Sequence, residues 1–117
     1  TVDIFNPKTI RATMGSIFRV PFVYVPDLAP VLEQMHAKGI HTYAAHLKGQ
    51  EYYDSFSFRE PTAFLIGNEG NGLSKEISDQ AGQYLKIPME GRVESLNASI
   101  AAALLMYEAH RQRSARL

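Results

Sequence analysis

Ile87-Pro88-Met89-Glu90-Gly91-Arg92-Val93-Glu94-Ser95-Leu96-Asn97 runs without a break into Ala98-Ser99-Ile100-Ala101-Ala102-Ala103-Leu104-Leu105-Met106-Tyr107. This succession leaves little choice of architecture. It reads as a short apolar strand, a polar turn pivoting on Gly91, and a long helix opening at or near Ser95. Glu94, Ser95 and Asn97 crowd the helix start, where unbonded backbone N–H groups and the positive dipole end gather. A serine there can be an N-cap and nothing more. The density of small and polar groups at a strand end is also what a ligand site in an α/β protein requires. Phe64-Leu65-Ile66-Gly67-Asn68-Glu69-Gly70-Asn71-Gly72-Leu73-Ser74 has the same strand-turn-helix build. Two such turns in one small domain point to one shared site.

The rest of the chain alternates in the same way. Asn6-Pro7 reads as a turn, and Gly15-Ser16 interrupts any helix in the polar, basic stretch 9–17. Residues 18–25 have the β-branched and aromatic density of a strand, with Pro21 confining it to an edge or a strand start. Asp27 caps a helix that tolerates Pro30 in its first turn, has Leu28, Val31, Leu32 and Met35 as its apolar stripe, and stops at Gly39. Residues 40–47 form the next strand. The connector 48–61 carries Tyr52, Tyr53, Phe56 and Phe58, which either stack on nucleic-acid bases or pack the loop onto its own domain. A strand at 62–66, a helix at 75–80 capped by Ser74, a strand at 84–89 and a helix reaching about Arg113 complete the order. On that last helix Leu96, Ile100, Leu104 and Tyr107 share a face, and Ala101, Ala102 and Ala103 allow close approach of a neighbour. The alternation predicts an α/β fold: a mostly parallel sheet with helices on both faces.

Composition narrows the function. A chain of 117 residues fits one domain with a real core. No apolar run approaches the roughly 18 residues that cross a bilayer. The absence of cysteine excludes disulfides, thiolate metal sites and cysteine nucleophiles, and a cytoplasmic location is the expectation. The four histidines, at 36, 41, 46 and 110, lack metal-ligand spacing with carboxylates, so no metal site is assigned. Net charge is zero, but its distribution is uneven. Lys8, Arg11 and Arg19 face only Asp3 in the first twenty residues, and Arg111, Arg113 and Arg116 face only Glu108 at the end. That pattern fits either a solvated surface or contact with a nucleic-acid backbone.

At the turns, glycines 67, 70 and 72 follow the order G-x-x-G-x-G, which matches neither a P-loop nor a dinucleotide fingerprint. Glycine after a strand permits close approach of a ligand to the main chain, and apolar neighbours suit an adenine ring. Glu69 is a carboxylate set among glycines, and Asn97 carries both a donor and an acceptor. Neither Glu69 nor Ser95 is matched to general-base work on a hydroxyl at neutral pH without strong tuning.

IGNEGNGLS and IPMEGRVESLNASIAAALLMYEA resemble the second and third motifs of the SpoU-type (TrmH-like) RNA ribose 2′-O-methyltransferases of the SPOUT superfamily, and NPKTIRATMGSIFRVP extends the likeness over nearly the whole chain. The resemblance implies S-adenosylmethionine as cofactor, with Gly67, Ile87 and Leu96 at the contact positions. It implies a carboxylate beside the reaction centre at Glu69, and RNA as substrate with ribosomal RNA favoured over transfer RNA. Asn97 and Ser95 are then candidates to fix the ribose hydroxyl, and Lys8, Arg11 and Arg19, which flank a glycine-containing segment, candidates for the RNA backbone or for contacts between subunits. It further implies a C-terminal trefoil knot and a homodimer with the final helix in or near the interface. The family's first motif, an Asn-x-Gly segment followed by an arginine, has no counterpart in residues 1–117. The chain therefore reads as a catalytic domain without its first strand-helix-strand unit. A non-catalytic cofactor- or RNA-binding and dimerisation module of the same fold is the alternative.

Overall fold

A computed structural model describes residues 5–14, 16, 19–46, 49–67, 72–88 and 97–114. Its helices are α1 (Pro7–Ala12), α2 (Ala29–Ala37), α3 (Lys75–Gln80) and α4 (Ala98–Ser114). Its strands are β1 (His41–Ala45), β2 (Thr62–Leu65) and β3 (Gln83–Leu85). All strand pairs are parallel, in the order β2-β1-β3. His41 pairs with Thr62 and Ala44 with Leu65 on one side of β1; Tyr43 pairs with Gln83 and Ala45 with Leu85 on the other.

The period-2 alternation of the strands sorts the core into two layers. Tyr43, Phe64 and Leu85 point to the side where Leu105 and Ala109 of α4 pack. Ala44, Leu65 and Tyr84 point to the other, where they meet Leu32 and Met35 of α2 and Ile77 of α3. Helices thus cover both faces, as expected.

Local signals explain the helix ends. Gly39 adopts φ +78° after α2, and the N–H of Ile40 reaches back to the Met35 carbonyl at 2.9 Å, a left-handed stop that suits glycine. Asp27 serves the helix start by accepting the Ala29 N–H at 3.0 Å. Ser74 caps α3 by accepting the N–H of Ile77 at 3.3 Å. β3 ends before its expected limit because Lys86 pairs with Tyr52 instead and Pro88 has no donor.

Two expectations need correction. Asn6-Pro7 opens a helix rather than a turn: Asn6 Oδ1 accepts the Lys8 N–H at 2.9 Å and Pro7 takes the first helical position. Residues 20–25 form no strand, and Val20, Phe22, Val23 and Tyr24 are exposed. Among the described residues the sheet consists of β2, β1 and β3 and does not include them. On α4 the shared face of Ile100, Leu104 and Tyr107 points outward, while Ala101, Leu105, Glu108 and Ala109 are buried. Ala109 and Leu105 pack in one cluster with Tyr43 and Leu85 of the sheet.

The connector aromatics pack onto their own domain. Phe58 is fully buried, with Phe56 and Tyr53 packed against the same cluster, and only Tyr52 is largely exposed. The last turns of α4 hold this connector. Gln112 donates to the Phe56 carbonyl (2.9 Å) and accepts the Phe58 N–H (2.6 Å), while Arg113 donates to the carbonyls of Phe58 and Glu60. Glu108 supports the clamp, accepting two bonds from Arg111 and one from Gln112, each 2.8 Å.

The Arg111 hydrogen bonds hold the Glu108 carboxyl below its ordinary pKa, against the opposing effect of burial. A carboxylate whose pKa is lowered by folding stabilises the fold above its unfolded pKa, and that contribution disappears as pH falls through the lowered value. Wild type is therefore expected to melt higher than Glu108→Gln at pH 7, with the gap closing below about pH 4. Melting curves of both proteins across that range check it; a gap independent of pH would place the effect in packing alone.

Candidate cofactor site at the strand ends

Because the strands are parallel, β2 and β3 deliver Gly67 and Ile87 to the same edge of the sheet, on either side of the end of β1. α4 brings a third predicted residue there. Its C-terminal turns contact Phe58 and Glu60, just before the start of β2, so the helix runs antiparallel to the strands and its first residue faces their C-terminal ends. Ligands of open α/β sheets bind at that edge.

Gly67 is half-buried, and its role is sharper than a surface left bare for a ligand. A Cβ on Gly67 would lie 2.4 Å from both the carbonyl carbon of Gly72 and the amide nitrogen of Leu73. The turn closes on itself backbone to backbone, and only glycine fits the closure. Gly72 contributes the complementary conformation, φ +66°. A side chain at 67 therefore disturbs the turn before it meets any ligand. Ile87 is half-buried and packs with Ile66 against the cluster that contains Leu85 and Phe58.

Asn97 is exposed and acts as the cap of α4. Its Oδ1 accepts the N–H of Ser99 at 2.9 Å and of Ile100 at 3.4 Å, and also the Ser99 hydroxyl, while its carbonyl accepts the Ala101 N–H at 2.9 Å. The capping role expected near Ser95 is thus filled by Asn97. Glu69, Ser95 and Leu96 lie outside the described residues. Lys8 and Arg11 are exposed on α1, and Arg19 is exposed with its N–H bonded to the Ser16 carbonyl. Among the described residues none of these three forms an ion pair.

Two features at this edge escaped the sequence reading. The ring of His46, just past β1, stacks on Tyr84 with centroids 4.9 Å apart. Tyr84 donates its hydroxyl to Asp79 at 3.0 Å, which raises the phenol pKa. Gly49 is buried against the end of β3. A lone glycine in a polar connector gives no pattern from which this could be read. A separate cleft of about 280 Å³ lies at the opposite edge, between the starts of β1 and β3, and contains none of the predicted site residues. Its inner wall is engaged in internal bonds: Thr42 Oγ1 meets His36 Nε2 and accepts the Gly82 N–H, both at 2.8 Å.

Known proteins resemble this chain over most of its length. YacO of Bacillus subtilis, described as a TrmH family tRNA/rRNA methyltransferase, is 38% identical over 104 residues, which are 89% of this chain and 42% of YacO. The SpoU methyltransferase AviRb from Streptomyces viridochromogenes, solved in complex with the cofactor AdoMet, superposes with a TM-score of 0.87 at 36% identity, covering 97% of this chain and 47% of AviRb. An RNA 2′-O ribose methyltransferase structure superposes at 0.85 with 33% identity, over 97% of this chain and 43% of its own. The chain thus spans less than half the length of each. The sequence model of the SpoU rRNA Methylase family matches residues 1–107, a span that includes both turns. With that match running through Gly67, Ile87 and Asn97, the chain belongs to the SpoU rRNA Methylase family.

Proposed function

We propose that this chain is the cofactor-binding portion of an enzyme that methylates a ribose 2′-hydroxyl of RNA, with ribosomal RNA as the substrate class. The observation that carries the reading is the convergence of Gly67, Ile87 and the α4 cap on one edge of a parallel sheet. The half-buried Ile66 and Ile87 offer an apolar surface beside main-chain groups of a tightly closed turn, which fits the adenosyl part of S-adenosylmethionine. That cofactor supplies a methyl group activated on a sulfonium. Gly67, Ile87 and Leu96 hold it, largely through backbone atoms. Glu69 sets a negative charge near the sulfonium, and Ser95 and Asn97 orient the ribose. Lys8, Arg11 and Arg19 bind RNA phosphates, supported by their exposure and by the absence of acidic residues from Phe5 to Pro26.

The same reading includes a trefoil knot at the C-terminal end, a cytoplasmic location, and a strand-helix-strand unit ahead of Thr1 bearing the first motif. Exposed Phe5, Val20, Phe22, Val23 and Tyr24 support the last point, since they form the kind of surface such a unit would cover. The outward face of α4, with Ile100, Leu104, Met106 and Tyr107 exposed, supports a homodimer. It equally favours the second reading, a non-catalytic binding and dimerisation module.

Transfer of a labelled methyl group to RNA, followed by alkaline hydrolysis, separates these readings. A methylated 2′-oxygen cannot attack its neighbouring phosphate, so the label is expected in alkali-resistant dinucleotides when the polypeptide carries the first motif. The 117-residue chain alone is expected to transfer none. Label released in mononucleotides would place the methyl on a base. No transfer by the longer polypeptide would favour the binding module.

A further inference from the structure

We propose that Gly49 is a positioning residue for the cofactor site, because it lets the connector lie against the end of β3 and fix where that strand delivers Ile87. The proposal rests on the cofactor reading above.

After β1 the chain turns through a bond from the Gly49 N–H to the His46 carbonyl, 3.0 Å. The His46 N–H itself bonds the Leu85 carbonyl at 3.0 Å. Gly49 then passes so close to β3 that a Cβ would lie 2.9 Å from the carbonyl carbon of Leu85, 3.0 Å from its oxygen and 3.1 Å from the His46 oxygen. All three neighbours are backbone atoms, which cannot swing aside as a flexible side chain would. Two residues on, the connector forms a short rail along the strand exit. The Lys86 N–H donates to the Glu51 carbonyl and the Tyr53 N–H to the Lys86 carbonyl, each at 2.9 Å, with Tyr52 and Lys86 bridged in parallel. Both main-chain groups of Lys86 are thereby committed to the connector. Ile87 is the next residue, and Pro88 after it has no N–H with which to hold the chain. The direction in which the strand leaves the sheet is therefore set by this rail, and the rail reaches the strand only because residue 49 has no side chain.

A methyl at 49 must push the connector off the Leu85 carbonyl, stretching both Lys86 bonds. Gly82 provides a matched control. A Cβ there would lie 3.1 Å from the Thr42 carbonyl, a comparable crowding at the opposite edge of the sheet. Hydrogen exchange of the ligand-free protein and calorimetry with S-adenosylhomocysteine should be run on wild type, Gly49→Ala and Gly82→Ala, with melting temperatures recorded. Gly49→Ala is expected to speed exchange at the Lys86 and Tyr53 amides and to weaken ligand binding tenfold or more. Gly82→Ala is expected to lower the melting temperature while leaving both readouts near wild type.

Should Gly49→Ala fail to fold, Tyr53→Pro against Tyr53→Ala isolates the rail, since both lose the ring but only proline loses the N–H. Ligand binding should then be weaker in the proline variant. Unchanged exchange at Lys86 and Tyr53 in Gly49→Ala overturns the proposal whatever the ligand does. So does faster exchange with unchanged affinity, equal affinity loss in Gly49→Ala and Gly82→Ala, or equal affinity of the two Tyr53 variants. Failure of wild type to bind S-adenosylhomocysteine would instead refute the cofactor reading, and this proposal with it.

Discussion

Phe58→Ala is expected to lose about 3–5 kcal/mol of folding stability, the usual range for emptying a buried aromatic site. The ring is fully buried and meets Tyr43 and Phe64 edge to face, at centroid distances of 5.1 and 4.9 Å. It lies in the layer that also contains Leu85, Leu105 and Ala109, so its removal opens space between α4 and the sheet. The backbone of residue 58 is held at both ends, by Gln112 on the N–H and Arg113 on the carbonyl. The connector therefore cannot collapse freely into the space left behind, which places the cost toward the upper part of the range. A domain of this size has a total stability of about 5–15 kcal/mol, so the variant approaches the threshold of folding. Tyr52→Ala is the comparison, because that ring is largely exposed and its loss should fall within about 0.5 kcal/mol. Denaturant midpoints at unchanged slope measure both. A loss below about 1 kcal/mol for Phe58→Ala would show that the connector is peripheral to the core.

That the connector belongs to the core was legible as one of two alternatives, since four aromatics near one another must either pack or stack. Other elements were legible outright because their signals are local. Gly39 and Ser74 end and begin helices through their own backbone and hydroxyl geometry, and 41–45 and 62–65 are short runs carrying β-branched and aromatic residues between turn residues. The misreadings concern signals whose meaning is set from elsewhere. Residues 20–25 have strand composition, but a strand is made by its pairing, and among the described residues they are not part of the sheet. Asn6-Pro7 serves equally as a turn or as a cap followed by a first helical residue.

The buried face of α4 contains Glu108, which counting apolar positions cannot select. Its burial depends on Arg111 and Gln112, one turn further on, holding its charge. At the site, Gly67 was legible as a position that must lack a side chain. The structure adds a reason beside the approach of a ligand: the backbone of Gly72 and Leu73 leaves no room for a side chain there.

Asn97 raises the same question of structural against chemical cause, and here the two predict different numbers. As a cap its Oδ1 satisfies N–H groups in the first turn of α4, and truncation to alanine should cost about 1 kcal/mol. Serine caps nearly as well as asparagine but lacks the amide N–H₂ group that could donate to a ribose hydroxyl. Asn97→Ser in a polypeptide carrying the first motif is therefore expected to melt close to wild type. Its single-turnover methyl transfer should nevertheless fall by about two orders of magnitude, the scale for losing one preorganised donor at a reaction centre. Glu69→Gln should behave alike, because it keeps the shape of the turn residue and removes only its charge. Asn97→Ala should show both losses at once. Transfer at the wild-type rate by Asn97→Ser would reduce Asn97 to a cap, and the ribose would then have to be oriented by Ser95 or by groups outside this pair.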